Sequence, residues 1–182
     1  MDKTVRNGIV HILQNNIRLL RIPVRQKAKF EGWLKFELAH YLEDIGMKSV
    51  KVESKVWLCR DRIDITFFHD GEPYSLELKT PNTNWKIEGI NSNCRPITKN
   101  IQSIISDAIK LNSENGIVAF VLFPIPVADN RWEIYLDRIN KKTNLGLNRH
   151  NNCELVNVDI DKGNVCSLMV CAFKSKRFRN WP

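Results

Sequence analysis

The chain has 182 residues, 43% apolar and 26% charged, with eight Gly and seven Pro. That composition excludes collagen, a disordered chain and a disulfide-stapled miniprotein, and the length suits one domain with its own core. A net charge of +8 and a pI near 9.4 are compatible with a polyanionic partner but do not require one.

No apolar run reaches the roughly 20 residues that span a bilayer, so a soluble, cytoplasmic protein with no membrane partner is expected. Five scattered cysteines form no CxxC pair, and four histidines form no HxxxH or HExxH spacing. Neither a disulfide frame nor a zinc site is therefore written here. The charge is unevenly spread. Residues 1–29 carry seven Lys/Arg against one acid, residues 30–137 carry 12 against 16, and residues 138–182 carry nine against three. Basic ends around an acidic middle suit a polyanion ligand with a carboxylate cluster between.

Val5, Ile9, Leu13, Ile17 and Leu20 recur at helical spacing over residues 3–20, predicting a first helix, with Pro23 ending it or marking the turn after it. A second helix is expected from about Lys27 to Ile45. Phe30, Leu34, Leu38, Tyr41 and Ile45 form its stripe, and Gly46 its C-cap signal. At 100° per residue, Glu31 and Glu37 flank that stripe by about 60° on opposite sides. Either could look into a cleft or lie in solvent.

Ser49–Cys59 alternates like a strand. Arg60–Thr80 then reads as a hairpin with Asp70-Gly71 as its two-residue turn. Matching the apolar residues pairs Phe67 with Tyr74, Ile65 with Leu76 and Ile63 with Leu78. The same register sets Thr66 against Ser75, Asp64 against Glu77 and Arg62 against Lys79. Facing carboxylates with Cβ atoms about 4.5–5.5 Å apart destabilise a sheet unless a cation or a proton lies between them. The plainer alternative is a charged outer face balanced by Lys79 or Arg62.

Thr80–Pro96 is a polar, turn-rich loop holding Trp85 and Arg95. Thr98–Leu111 predicts a helix with Ile101, Ile104, Ile105, Ala108 and Ile109 inward and Lys99, Gln102 and Lys110 off the stripe. Gly116–Phe123 is a continuous apolar run, as in a strand covered on both faces, closed by Pro124 and Pro126. Arg131–Asn140 predicts another helix, and Cys153–Asp159 and Val165–Phe173 two strands joined by a turn over Asp161–Asn164. The end interleaves Lys174, Lys176, Arg177 and Arg179 with Phe178 and Trp181. Such a run can lie along phosphates and stack on bases, or be a solvated terminus.

An acid-bearing helix, Asp64, twelve intervening residues and Glu77-Leu78-Lys79 together resemble the PD-(D/E)XK nuclease superfamily, the restriction-endonuclease-like fold. The resemblance covers about residues 27–123 in the order α-β-β-β-α-β, and Ile63 stands where the superfamily's name has a proline. It implies a single mixed α/β domain with an extra N-terminal helix and C-terminal strands added to that core. It further implies a magnesium- or manganese-dependent nuclease, with DNA favoured over RNA. Asp64, Glu77 and the Leu78 backbone carbonyl would hold the metal, Lys79 would orient the attacking water, and Glu31 or Glu37 would be the helix acid. Gln102 and Lys99 match positions of an auxiliary polar residue. Arg62, Trp85, Arg95, Lys174, Lys176, Arg177 and Arg179 are the candidate nucleic-acid contacts. Cutting both strands with one site per chain suggests a homodimer. Two other readings stand beside this one: a nuclease-like fold that only binds nucleic acid or a protein, and an unrelated α+β domain with a charged hairpin.

Overall fold

A computed structural model describes residues 1–55, 62–91, 97–111, 113, 115–161 and 163–176. Among these residues a mixed six-stranded sheet carries helices on both faces. The N-terminal face holds α1 (Asp2–Asn15), α2 (Ile17–Gln26) and α3 (Glu31–Asp44). The strands are β1 (Lys48–Lys55), β2 (Arg62–His69), β3 (Glu72–Lys79), β4 (Gly116–Pro126), β5 (Cys153–Asp161) and β6 (Asn164–Lys174). Helix α4 (Ile97–Leu111) links β3 to β4, and α5 (Glu133–Thr143) and the short α6 (Arg149–Asn152) precede β5. The sheet order is β1-β2-β3-β4-β6-β5; β3 and β4 are parallel and every other neighbouring pair is antiparallel.

Strand period explains how one apolar run serves two cores. Ile117, Ala119, Val121 and Phe123 of β4 point into the cluster under α1–α3, while Val118, Phe120 and Leu122 point into the cluster under α4 and α5. Strand β6 divides likewise, with Leu168, Val170 and Ala172 on one side and Met169, Cys171 and Phe173 on the other. The C-terminal strands extend the same sheet beyond β4, with β6 paired to β4 and β5 at the edge.

Several expectations are corrected. The first helical stretch is two helices, broken at Asn16, whose side-chain amide donates to the Ile12 carbonyl at 2.9 Å. Pro23 sits inside α2, which runs three residues further to a left-handed Lys27 cap. In α3 the buried stripe is Leu34, Lys35, Leu38, Ala39 and Leu42, and Ile45 is exposed. Pro124 does not close β4: pairing with β6 resumes at Ile125↔Ser167 after a local irregularity, and the strand ends at Pro126. Helix α5 begins two residues later and ends three later than expected. Strand β1 begins at Lys48, and its expected end at Cys59 lies outside the described residues.

The hairpin turn is as read. Asp70 and Gly71 both have positive φ, 51° and 81°, the pattern of a type I′ turn. The ladder runs from His69↔Glu72 to Ile65↔Leu76 in the expected register. Beyond it the Leu78 N–H donates to the Asp64 carboxylate at 2.9 Å, and the expected pairs Asp64 with Glu77, Ile63 with Leu78 and Arg62 with Lys79 are not part of the paired ladder. That is where the strands splay and polar groups gather.

Candidate active site

The splayed ends of β2 and β3 meet the first turn of α3 on one side and α4 on the other. Lys79 lies at the centre. Its Nζ is 3.5 Å from Asp107 Oδ2, 3.7 Å from Asp64 Oδ2, 3.8 Å from Glu77 Oε2 and 3.9 Å from Glu31 Oε1. It also donates to the Leu78 carbonyl at 3.2 Å. Glu77 is 4% exposed and Asp64 14%, so both carboxylates have lost most of their hydration. Two further lysines cap the outer oxygens: Lys35 reaches Asp64 Oδ1 at 2.7 Å, and Lys110 reaches Glu77 Oε1 at 2.9 Å.

Burial pushes Glu77 up to about 7, against the Lys110 hydrogen bond and with the added repulsion of Asp64. Burial acts the same way on Asp64, but hydrogen bonds from Lys35 and from the Leu78 N–H, with the charge of Lys79, hold it below the ordinary value. Of the two facing acids, Glu77 is thus the one that more readily carries a proton, and when protonated it can donate to the Asp64 carboxylate. Burial would favour a neutral Lys79, yet Asp107, Glu31, Asp64 and Glu77 outweigh it and keep the ammonium. Asp107 is raised by burial, with Lys79 in part opposing, and its Oδ2 is buried without a hydrogen bond.

The two candidate acids of α3 face different ways. Glu31 opens α3 and accepts from the Thr80 N–H at 3.3 Å, beside Lys79. Glu37 is turned away: it accepts from Trp33 Nε1 and lines a hollow with His11 and Asn15 of α1. Gln102 and Lys99 are exposed on α4, and Gln102 lines a trough against α5. Arg62 is at the rim, paired with Glu53 at 3.1 Å, while its carbonyl accepts from Lys110 at 3.0 Å. Trp85 packs against Tyr135 and Arg131 on the α5 side. Lys174 is exposed at the end of β6, and Lys176 donates to the Asn144 carbonyl. Arg95, Arg177 and Arg179 lie outside the described residues.

Three contributors were not legible as site residues: Lys35, Asp107 and Lys110. Lys35 lies about 100° from the centre of the stripe that the sequence predicts for α3, so helical period did not mark it as buried. Asp107 and Lys110 are three apart on α4 and so share a face.

No family model matches this chain, and no curated protein or solved structure matches it. Among the described residues no helix is long and apolar enough to cross a membrane.

Proposed function

We propose that this chain is a magnesium- or manganese-dependent nuclease that hydrolyses phosphodiester bonds, with DNA as substrate. The observation that carries the reading is the buried Asp64–Glu77 pair facing the Lys79 ammonium. The element order from α3 to β4, α-β-β-β-α-β, is the one the PD-(D/E)XK resemblance implies.

The donor set fits such a cation by its chemistry. Asp64, Glu77 and the Leu78 carbonyl supply hard oxygens, and magnesium commonly takes one or two carboxylates plus water and substrate oxygens. Among the described residues no three Asp, Glu, His or Cys side chains are placed to hold a metal by themselves, so the protein's share would be that partial set. When bound, the cation neutralises phosphate charge and makes a water easier to deprotonate. Asp64 and Glu77 must both be ionised to hold it, so the shared proton leaves first. Lys79, kept as an ammonium, donates to the incoming water or to a phosphate oxygen and does not accept a proton. Asp107, the carboxylate nearest Lys79, would receive one. In the overall reaction water forms a bond to phosphorus, the bond to the sugar oxygen breaks, and that oxygen takes a proton.

A second reading has one observation in its favour. Lys35 and Lys110 already satisfy the outer oxygens of Asp64 and Glu77, as they would in a nuclease-like module that binds without cutting. A cleavage assay on linear, circular and single-stranded DNA separates the two, with magnesium, manganese or EDTA. The variant of choice is Glu77→Gln, whose amide can replace the protonated carboxyl as donor to Asp64 and so spare the fold. Metal-dependent cutting lost in Glu77→Gln supports the nuclease. If wild type and variant are equally inactive and both hold DNA, the binding module stands.

A further inference from the structure

Helix α4 separates two different surfaces. Asp107 faces the Lys79 cluster, while Thr98, Ile101, Gln102 and Ile105 line a trough against α5, about half a turn round the helix. The opposite wall of the trough is Arg138, Lys141 and Lys142 of α5. Asp107 is the one acid in α4, so the outward face between the two surfaces, Lys99, Gln102, Ser103 and Ser106, carries no negative charge.

The trough cations are exposed, and none among the described residues is held in an ion pair. The neighbouring charges are already engaged elsewhere: Arg131 with Asp129, and Arg149 with Glu133. Asp137, on α5, is not among the trough-lining residues. Lys141 and Lys142 complement the carbonyl end of α5, but Arg138 lies before its last turn and instead covers the Tyr135 ring at 5.7 Å. Tyr135 in turn packs on the half-exposed Trp85, itself covered by Arg131 at 5.7 Å. A cation therefore covers each member of this aromatic pair. The trough holds about 250 Å³ and is open, too small to enclose an ordinary ligand but suited to a chain lying along it.

We propose that this trough holds the phosphodiester backbone of duplex DNA, on the far side of α4 from the strand presented to the Lys79 cluster. The inference rests on reading that cluster as a nuclease site, and adds the surface that positions the duplex. An α-helix with its side chains is about 10–12 Å across, and the B-form major groove is about 12 Å wide. Two phosphate-binding surfaces separated by one helix thus match the two walls of that groove. The deep, narrow major groove of an RNA duplex does not admit a helix.

The test is equilibrium binding of a short DNA duplex over a salt series in EDTA, so that no cutting is required. The trough variant is Arg138→Ala/Lys141→Ala/Lys142→Ala. A control, Arg18→Ala/Lys48→Ala/Lys51→Ala, removes the same charge from exposed sites elsewhere. Melting temperatures check both folds. The trough variant should bind about tenfold or more weakly, with a log–log salt slope shallower by about two to three, since each lost phosphate contact removes about 0.9. The control should lose clearly less, and a matched RNA duplex should bind less tightly than DNA. Equal losses in both variants, an unchanged trough variant, or tighter binding to anionic vesicles than to DNA would overturn the proposal. If the wild type binds duplex through the trough but never cuts it with metal, this surface stands and the nuclease reading fails. Cutting by a trough variant that still binds as wild type leaves the nuclease and removes the trough.

Discussion

Lys79 Nζ and Asp107 Oδ2 are 3.5 Å apart across the gap between β3 and α4, and no hydrogen bond satisfies that oxygen. The strand residue belongs to the motif legible in the sequence, and the helix residue does not. The contact ties the hairpin to the helix that follows it.

Because burial already disfavours the Asp107 carboxylate, removing its charge costs the fold little. Asp107→Asn is expected to change stability by less than about 1 kcal/mol, within the range of mild substitutions. Lys79 loses its nearest counter-charge, so the cleavage rate at saturating metal should fall about tenfold or more with substrate KM little changed. Steady-state kinetics beside a thermal melt measure both, and a variant with wild-type kcat removes Asp107 from the chemistry.

Lys79 offsets four carboxylates, and the same accounting predicts a large effect when it goes. Lys79→Met leaves them facing one another, at a cost of about 3–5 kcal/mol, as when one partner of a buried ion pair is deleted. In a domain of this size that lowers Tm by roughly 10 °C. Added magnesium or manganese should restore part of the loss by binding the folded state, without restoring cleavage. A melt in EDTA indistinguishable from wild type would refute this view of the cluster.

The pH dependence follows from Glu77. Its value in the folded protein is about 7, against 4.5 ordinarily. Between those values the folded state binds the extra proton, so without metal the stability falls as pH rises through this window. Asp107, also raised, acts in the same direction from 3.8 upward. Asp64, held low, contributes fully above its ordinary 3.8 and loses that contribution only on further acidification. Lys79, held high, contributes fully below its ordinary 10.5. A metal must displace the Glu77 proton, so the magnesium-induced rise in Tm should be small near pH 5.5 and grow to a plateau above about 7. A rise of equal size at both ends of the range would show that the metal binds elsewhere.

The two candidate helix acids give the sharpest contrast. Glu31→Gln removes a carboxylate that faces Lys79 and the Thr80 N–H, and kcat/KM should fall about tenfold or more. Glu37→Gln alters only a hydrogen bond with Trp33 on the α1 side, and activity should stay within about twofold. Comparable losses in both would place the cleft on the wrong side of α3.

The hairpin shows why part of the site was readable. A period of two and a positive-φ Asp-Gly turn leave one register that buries Ile65, Phe67 and Leu76, and that register brings Asp64 toward Glu77. The choice between Glu31 and Glu37 was not readable, because helical period places them symmetrically about the stripe. The side of α3 that turns toward β3 depends on its packing against α1, where Gly8 lets the Tyr41 ring approach so closely that a Cβ would lie 2.5 Å from it. The same limit hid the break at Asn16 and the course of β4 past Pro124, since each depends on the neighbouring element that takes up the backbone groups.

Local order, then, was determined by the chain alone: the periods of α4 and β4, the turn at Asp70-Gly71, and the Asp64, Glu77 and Lys79 constellation. Tertiary structure decided the cluster's full membership, Glu31 over Glu37, the three partners Lys35, Asp107 and Lys110, and the insertion of β6 between β4 and β5. The physical reason is range. Periodicity and turn chemistry act over a few residues, whereas a buried charge is stable only beside partners that packing brings from far along the chain.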